Sequence, residues 1–74
     1  MQRRTQFGII DIPKKIKKYN RYYAYFNTYH NQQAAKEKAE KIRDSGVVKG
    51  AVVEKAIVTQ GPRKGKEVGV VYIR

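Results

Sequence analysis

Cysteine is missing from this chain of 74 residues, and histidine occurs once, as His30. Disulfides, thiolate nucleophiles and cysteine-based zinc sites are therefore excluded, and a histidine-rich metal cluster is excluded as well. We expect neither a metal nor a cofactor. A domain of this size buries a modest fraction of its surface. Its stability must come from a compact apolar core, which a homodimer interface could supplement.

Long apolar runs are also missing. No window is long or apolar enough to cross a membrane as a helix. The first ten residues, MQRRTQFGII, lack the sustained apolar stretch and small residues of a secretory signal. The sequence therefore predicts a cytoplasmic protein that has no membrane partner.

Leucine is absent too, whereas seven isoleucines and eight valines supply most of the aliphatic side chains. Such β-branched residues favour strands. Apolar runs predict strands at residues 5–12, 21–29, 50–60 and 66–74, and the basic stretch 14–20 is interpreted as a connector. We predict that residues 1–4 are disordered and that residues 5–74 form one domain.

One segment, NQQAAKEKAEKIRDSG, predicts a helix. Asn31 can cap its N-terminus, and most of the following residues are strong helix formers. Ala35, Ala39 and Ile42 form a narrow apolar stripe that would pack on a sheet, and Gly46 fits the position just after the helix. The fold class expected is α+β: a small β-β-α-β-β domain with an antiparallel or mixed sheet and one helix packed on one face.

Positive charge dominates what the sequence does contain. Lysine and arginine number 17 against six aspartate and glutamate residues, which gives a net charge of +11 and a pI near 10.1. This imbalance indicates a polyanionic partner such as nucleic acid. Basic residues in three clusters and one strand would contact phosphates without reading sequence. They are Arg3 and Arg4; Lys14, Lys15, Lys17 and Lys18; Arg21; and Arg63, Lys64 and Lys66.

Residues 20–29, NRYYAYFNTY, hold four of the six tyrosines. Side chains alternate between the two faces of a strand. The set Tyr22, Ala24, Phe26 and Thr28 is expected to face the helix, and the set Arg21, Tyr23, Tyr25, Asn27 and Tyr29 to face water. Tyr23, Tyr25 and Tyr29 could then stack on nucleic-acid bases. The alternative is that these rings pack within the sheet or in a dimer interface.

Part of this strand resembles a known family. Arg21, Tyr23, Ala24 and Tyr25 match the ring-bearing central strand of the RNA-recognition motif, although Tyr22 replaces a glycine and Thr28 replaces the final ring. The likeness covers about 35 residues, and the 20 residues upstream are too few for the rest of that fold. The resemblance implies that Tyr23 and Tyr25 are the base-stacking rings.

A second likeness lies in the predicted hairpin near the C-terminus. Gly61, Lys64 and Gly65 resemble the KOW motif of ribosomal and transcription-elongation proteins, but the next glycine, Gly69, comes one residue late. A basic hairpin of this kind can contact a duplex as an arm. Single- and double-stranded partners, and DNA and RNA, all remain open at this level.

No arrangement of titratable residues indicates catalysis. Four acidic residues, Glu37, Glu40, Asp44 and Glu67, lie next to or near basic residues in segments expected to be solvated, and His30 lies at a strand–helix junction. Asp11 and Glu54 could lie on neighbouring strands, which alone does not make a catalytic site. We therefore predict a non-enzymatic nucleic-acid-binding protein. The alternative is a small protein–protein interaction module that docks on an acidic surface or dimerises through its sheet.

Overall fold

Antiparallel strand pairing organises the chain in the computed structural model, which describes residues 2–74. Within that range there are six strands and one helix, and every strand pair is antiparallel. The elements are β1 (Gln2–Thr5), β2 (Gly8–Asp11), β3 (Lys15–Lys18), β4 (Arg21–Tyr29), α1 (Gln32–Asp44), β5 (Ala51–Gln60) and β6 (Glu67–Ile73). The expected α+β class is confirmed, but four strands precede the helix instead of two.

Both additional strands arise from tight turns that the sequence analysis did not recognise. The run 5–12 is divided by a turn at residues 6–7, and its first strand begins at Gln2, so the expected disorder does not hold for residues 2–4. Met1 lies outside the described residues. The expected connector forms β3, because Tyr19 and Asn20 both adopt left-handed backbone conformations and turn the chain directly into β4.

The strand order forces the sheet to curl. The order is β1-β2-β5-β6-β4-β3, so β2 and β3 are four strand positions apart although only residues 12–14 connect them. In a flat sheet that separation would be about 19 Å. The four residue steps from Asp11 to Lys15 span at most about 14 Å. The sheet must therefore bend, and residues 12–14, called here the crossing segment, close over its concave side.

The concave side, called here the interior face, contains the larger core. Ile10, Ile12, Tyr23, Ala56, Val58, Val68, Val70 and Tyr72 are buried together there. Tyr72 donates a hydrogen bond of 2.8 Å from its hydroxyl to the carbonyl of Pro13. The crossing segment is thus attached to the sheet by this hydrogen bond and by Ile12, which packs in the core. A backbone hydrogen bond of 2.9 Å from the Tyr25 N–H to the Lys14 carbonyl attaches its other end to β4.

The convex side, called here the helix face, carries α1. Asn31 caps the helix by accepting a hydrogen bond of 2.7 Å from the Ala34 N–H, and Ala35 and Ala39 are buried against the sheet, as predicted. The contact is close because Gly69 lies beneath it: a Cβ at Gly69 would stand 2.6 Å from the Cβ of Ala35. Gly46 follows the helix with a φ of +78°, which is the left-handed conformation predicted for it.

A bulge in β4 interrupts the alternation of its side chains. Tyr25 pairs with Tyr72 and Asn27 pairs with Val71, which leaves Phe26 as an extra residue. After the bulge, each side chain of β4 points to the opposite face from the one that simple alternation predicts. The expected alternation is therefore wrong for the second half of β4. The bulge decides which tyrosines lie on which face.

Candidate nucleic-acid interface

Tyr23 and Tyr25 lie on the face opposite the helix, as the alternation predicted, but that face is closed. Tyr23 is only 6% exposed and belongs to the interior core. The expectation that it faces water is wrong, because the β1–β2 hairpin and the crossing segment fold over the sheet. In this arrangement Tyr23 presents no open ring face on which a base could stack.

Tyr25 is half-buried and occupied on several sides. The guanidinium carbon of Arg3 lies 4.0 Å from its ring centroid, and its ring meets that of Tyr72 edge-on at 6.1 Å. Its hydroxyl also forms a hydrogen bond of 2.7 Å with Thr28. A cation above a ring is an attractive contact. A base could stack on Tyr25 only after displacing Arg3. Tyr23 and Tyr25 therefore both contribute to the core.

Tyr29 lies on the helix face instead of the water-facing side that the sequence analysis expected. It is paired with Gly69 beyond the bulge and packs beside Ala35 and Val71. Burial raises the pKa of its hydroxyl above the ordinary value. Tyr29 therefore contributes to the contact between helix and sheet.

The tyrosine rings that are exposed to solvent are not those of Tyr23, Tyr25 or Tyr29. Tyr22 is 67% exposed and Tyr19 is 76% exposed, and both belong to the β3–β4 hairpin. Lys17 Nζ lies 5.8 Å from the ring centroid of Tyr22, and Lys18 Nζ lies 5.9 Å from that of Tyr19. Cations and open rings thus occur side by side on the hairpin. This is the combination that the sequence analysis had placed on Tyr23 and Tyr25.

The strand register places Lys15, Lys17 and Tyr22 on the helix face. Lys17 is opposite Tyr22, and Lys15 is opposite Ala24, which in turn pairs with Ile73. A cleft of about 420 Å³ lies here, and it is lined by Lys15, Tyr22, Tyr23, Ala24, Ile73 and Arg74. We call the exposed basic and aromatic residues in and next to the β3–β4 hairpin, together with Arg74, the hairpin surface: Lys14, Lys15, Lys17, Tyr19, Arg21, Tyr22 and Arg74.

Lys18 differs from the other lysines of the hairpin. Its ammonium donates a hydrogen bond to the Glu54 carboxylate, and the two form an ion pair. This hydrogen bond raises the pKa of Lys18 above its ordinary value of 10.5. Lys18 therefore neutralises the acidic side chain that reaches the hairpin, and it is less available to a phosphate than Lys15 or Lys17.

The remaining basic clusters lie at the other end of the sheet. Arg63 lies with its guanidinium carbon 5.5 Å from the ring centroid of Phe7, so the β5–β6 loop packs on the β1–β2 turn. Gly8 and Gly61 touch there, since a Cβ at Gly61 would stand 2.8 Å from the Cα of Gly8. We call this group the loop surface: Arg4, Arg63, Lys64 and Lys66.

The hairpin surface and the loop surface do not merge into one. The ladder from the Ala51–Ile73 pair to the Ile57–Glu67 pair spans six residue steps, about 20 Å. Lys15 pairs with Ala24, which pairs with Ile73, so Lys15 lies at the Ala51–Ile73 end of the ladder. The β5–β6 loop lies past the Ile57–Glu67 end. The structure thus unites Arg4 with the loop basics and keeps Lys14 to Lys18 apart from them.

Metal ligands and membrane-spanning helices are the other features that could define a site in residues 2–74. No group of three or more histidine, cysteine, aspartate or glutamate side chains in that range could hold a metal ion. Nor does the described part of the chain contain a helix long and apolar enough to cross a membrane. The hairpin and loop surfaces are therefore the candidate sites considered below.

Sequence reasoning missed Tyr22, Tyr19 and Arg74, although one signal was available for Tyr22. Across a two-residue turn at Tyr19 and Asn20, Ile16 must pair with Tyr23. Ile16 is the single apolar residue in KKIKK, so it marks the buried face. Its partner Tyr23 must share that face, which leaves Tyr22 outside.

Comparisons with known proteins add no further guidance. No protein-family model matches the chain, and no curated protein and no solved structure matches it. The function must therefore be inferred from the side chains themselves.

Proposed function

We propose that this protein binds single-stranded nucleic acid, without catalysis, through the hairpin surface. The observation that carries the proposal is the exposed ring of Tyr22 beside Lys15 and Lys17. An open ring can stack on any base, and neighbouring cations can hold the phosphates on either side of it. Exposed rings favour single strands, because the bases of a duplex are stacked on one another and offer no free face.

The charge around the ring supports the same partner. Residues 14–22 contain five basic side chains and no acidic one. Glu54, whose carboxylate reaches this hairpin, is paired with Lys18. Arg74 also lines the cleft beside Tyr22. A polyanion would therefore meet attraction at every charged position of the hairpin surface.

Removing two lysines from the hairpin surface tests the electrostatic part. We expect the double variant Lys15→Gln, Lys17→Gln to weaken binding of a single-stranded oligonucleotide. Two lost phosphate contacts should lower the slope of log Kd against log salt concentration by about 1.4. Fluorescence anisotropy titrations at several salt concentrations measure both quantities.

The matched control removes the same charge from the helix. Lys38 and Lys41 are exposed on α1, and the variant Lys38→Gln, Lys41→Gln also lowers the net charge by two. We expect this control to keep the salt slope of the wild type. Equal losses in the two double variants would mean that net charge alone drives binding, and they would refute a site on the hairpin.

The ring is tested separately. We expect Tyr22→Ala to weaken binding roughly 5- to 150-fold, since stacking contributes about 1–3 kcal/mol per base. Tyr22→Phe keeps the ring and should bind nearly as well as the wild type. Phe26→Ala, which removes an exposed ring from the bulge of β4, is the control and should leave affinity unchanged. Wild-type affinity in Tyr22→Ala would rule out stacking there.

A second candidate function, docking on an acidic protein, is favoured by the edge strands. Among residues 2–74, β1 and β3 end the strand order, so each has one edge without a neighbouring strand. Both strands carry exposed basic residues, Arg4 on β1 and Lys15 and Lys17 on β3. Pairing with a second copy would place like charges opposite each other, whereas an acidic strand would pair favourably. Oligomeric state on a sizing column at several concentrations separates the two cases.

A further inference from the structure

We propose that the loop surface is a second phosphate-binding surface, so that one molecule bridges two separate segments of nucleic acid. The inference rests on the proposed function of the hairpin surface and adds an independent site to it. The loop surface contributes four basic side chains, Arg4, Arg63, Lys64 and Lys66. The segments that form it, residues 2–8 and 61–66, contain no acidic residue.

The loop is built to hold its cations in place. Within it, Lys64 N–H donates to the Gly61 carbonyl at 3.2 Å, and Lys66 N–H donates to the Arg63 carbonyl at 2.9 Å. Gly65 N–H donates to the Val58 carbonyl at 2.8 Å, which fixes the loop to β5. The packing of Arg63 on Phe7 and of Gly61 on Gly8 fixes it to the β1–β2 turn. A fixed loop loses little conformational entropy when it binds.

The geometry separates the two surfaces. About 20 Å of paired sheet lies between them along β5 and β6. On the helix face the direct path is occupied by α1, which packs on β4, β5 and β6. The helix stands as a ridge of mixed charge, with exposed acidic side chains at Glu37, Glu40 and Asp44 and exposed basic ones at Lys36, Lys38, Lys41 and Arg43. A strand held on the hairpin surface would meet this obstacle before it reached the loop, so each surface is suited to a segment of its own.

A bridging assay with short oligonucleotides tests the proposal. Two identical single strands of about four nucleotides, the lower end of the site sizes of single-strand-binding surfaces, carry a donor or an acceptor dye. We expect energy transfer to rise as protein is added and then to fall when protein is in excess, because each strand then has a molecule of its own. Calorimetry should give two oligonucleotides per chain, and sizing of the free protein shows whether a dimer is responsible.

Variants of the two surfaces separate the possible outcomes. Lys64→Gln, Lys66→Gln should bind one oligonucleotide per chain through the hairpin surface and should lose the energy transfer. A single bound oligonucleotide per wild-type chain without energy transfer would overturn the bridging proposal and leave the hairpin site intact. The bridging proposal would also be overturned if the energy transfer rose only with the fraction of protein that is already dimeric before oligonucleotide is added. Absence of any binding at low salt would overturn both proposals together.

Discussion

Gly8→Ala is expected to lower the free energy of unfolding by roughly 3 to 5 kcal/mol, through strained backbone and steric overlap together. Gly8 begins β2 with a φ of +128°, a conformation that side chains rarely allow. A Cβ there would stand 2.3 Å from the carbonyl oxygen of Gln60 and 2.6 Å from Val58. The first contact is with backbone in a paired strand, which cannot move without opening the pairing of β2 and β5.

The expected loss is large for a domain of this size. At about 0.05–0.15 kcal/mol per residue, the whole fold is stable by only about 4 to 11 kcal/mol. Urea unfolding followed by circular dichroism measures the change. Gly46→Ala is the matched control, because Gly46 has a φ of +78° but no atom within 4 Å of the added Cβ. It should lose only about 1 kcal/mol, from the backbone alone. Equal losses at the two positions would show that the Gly8 contact is not tight.

Substitution of Tyr72 is expected to have a comparable effect. Tyr72 is 1% exposed, meets Tyr25 edge-on and donates its hydroxyl to Pro13. Tyr72→Ala should cost about 3–5 kcal/mol, because it leaves a cavity at the centre of the interior core. Against a total of about 4 to 11 kcal/mol, this is a large fraction of the stability of the fold.

The milder variant isolates the hydrogen bond. Tyr72→Phe keeps the ring but leaves the Pro13 carbonyl without its donor, which should cost about 1–3 kcal/mol. The same urea titration measures it, and Tyr22→Ala on the exposed surface serves as the control, with a change within about 0.5 kcal/mol. If Tyr72→Phe were as stable as the wild type, the crossing segment would not depend on this bond.

Local patterns predicted the elements whose signals are local. Asn31 and Gly46 mark the ends of α1, and both have the capping roles expected of them. The alternating and β-branched runs located β4, β5 and β6 to within a residue or two. These features depend on neighbours a few positions away, and such interactions are visible in a sequence.

The errors arose where distant pairing decides the outcome. Tyr23 was assigned correctly to the face away from the helix, but nothing in its own strand shows that β1, β2 and residues 12–14 cover that face. The bulge at Phe26 adds one residue to β4, which shifts the two-residue alternation of its side chains and places Tyr29 on the helix face. The basic clusters could be found in the sequence, whereas their division between two ends follows from the ladder of β5 and β6.

The strand order also constrains when the protein can fold during its synthesis. The two central strands, β5 and β6, leave the ribosome after the other described elements, although β2 and β4 pair directly with them. A nascent chain that ends near residue 50 has neither partner, and its rings and strand edges stay exposed to other chains. Folding from the N-terminus onward is the usual course for successive domains. The strands of this fold cannot follow it, because their core assembles only after β6 has been translated.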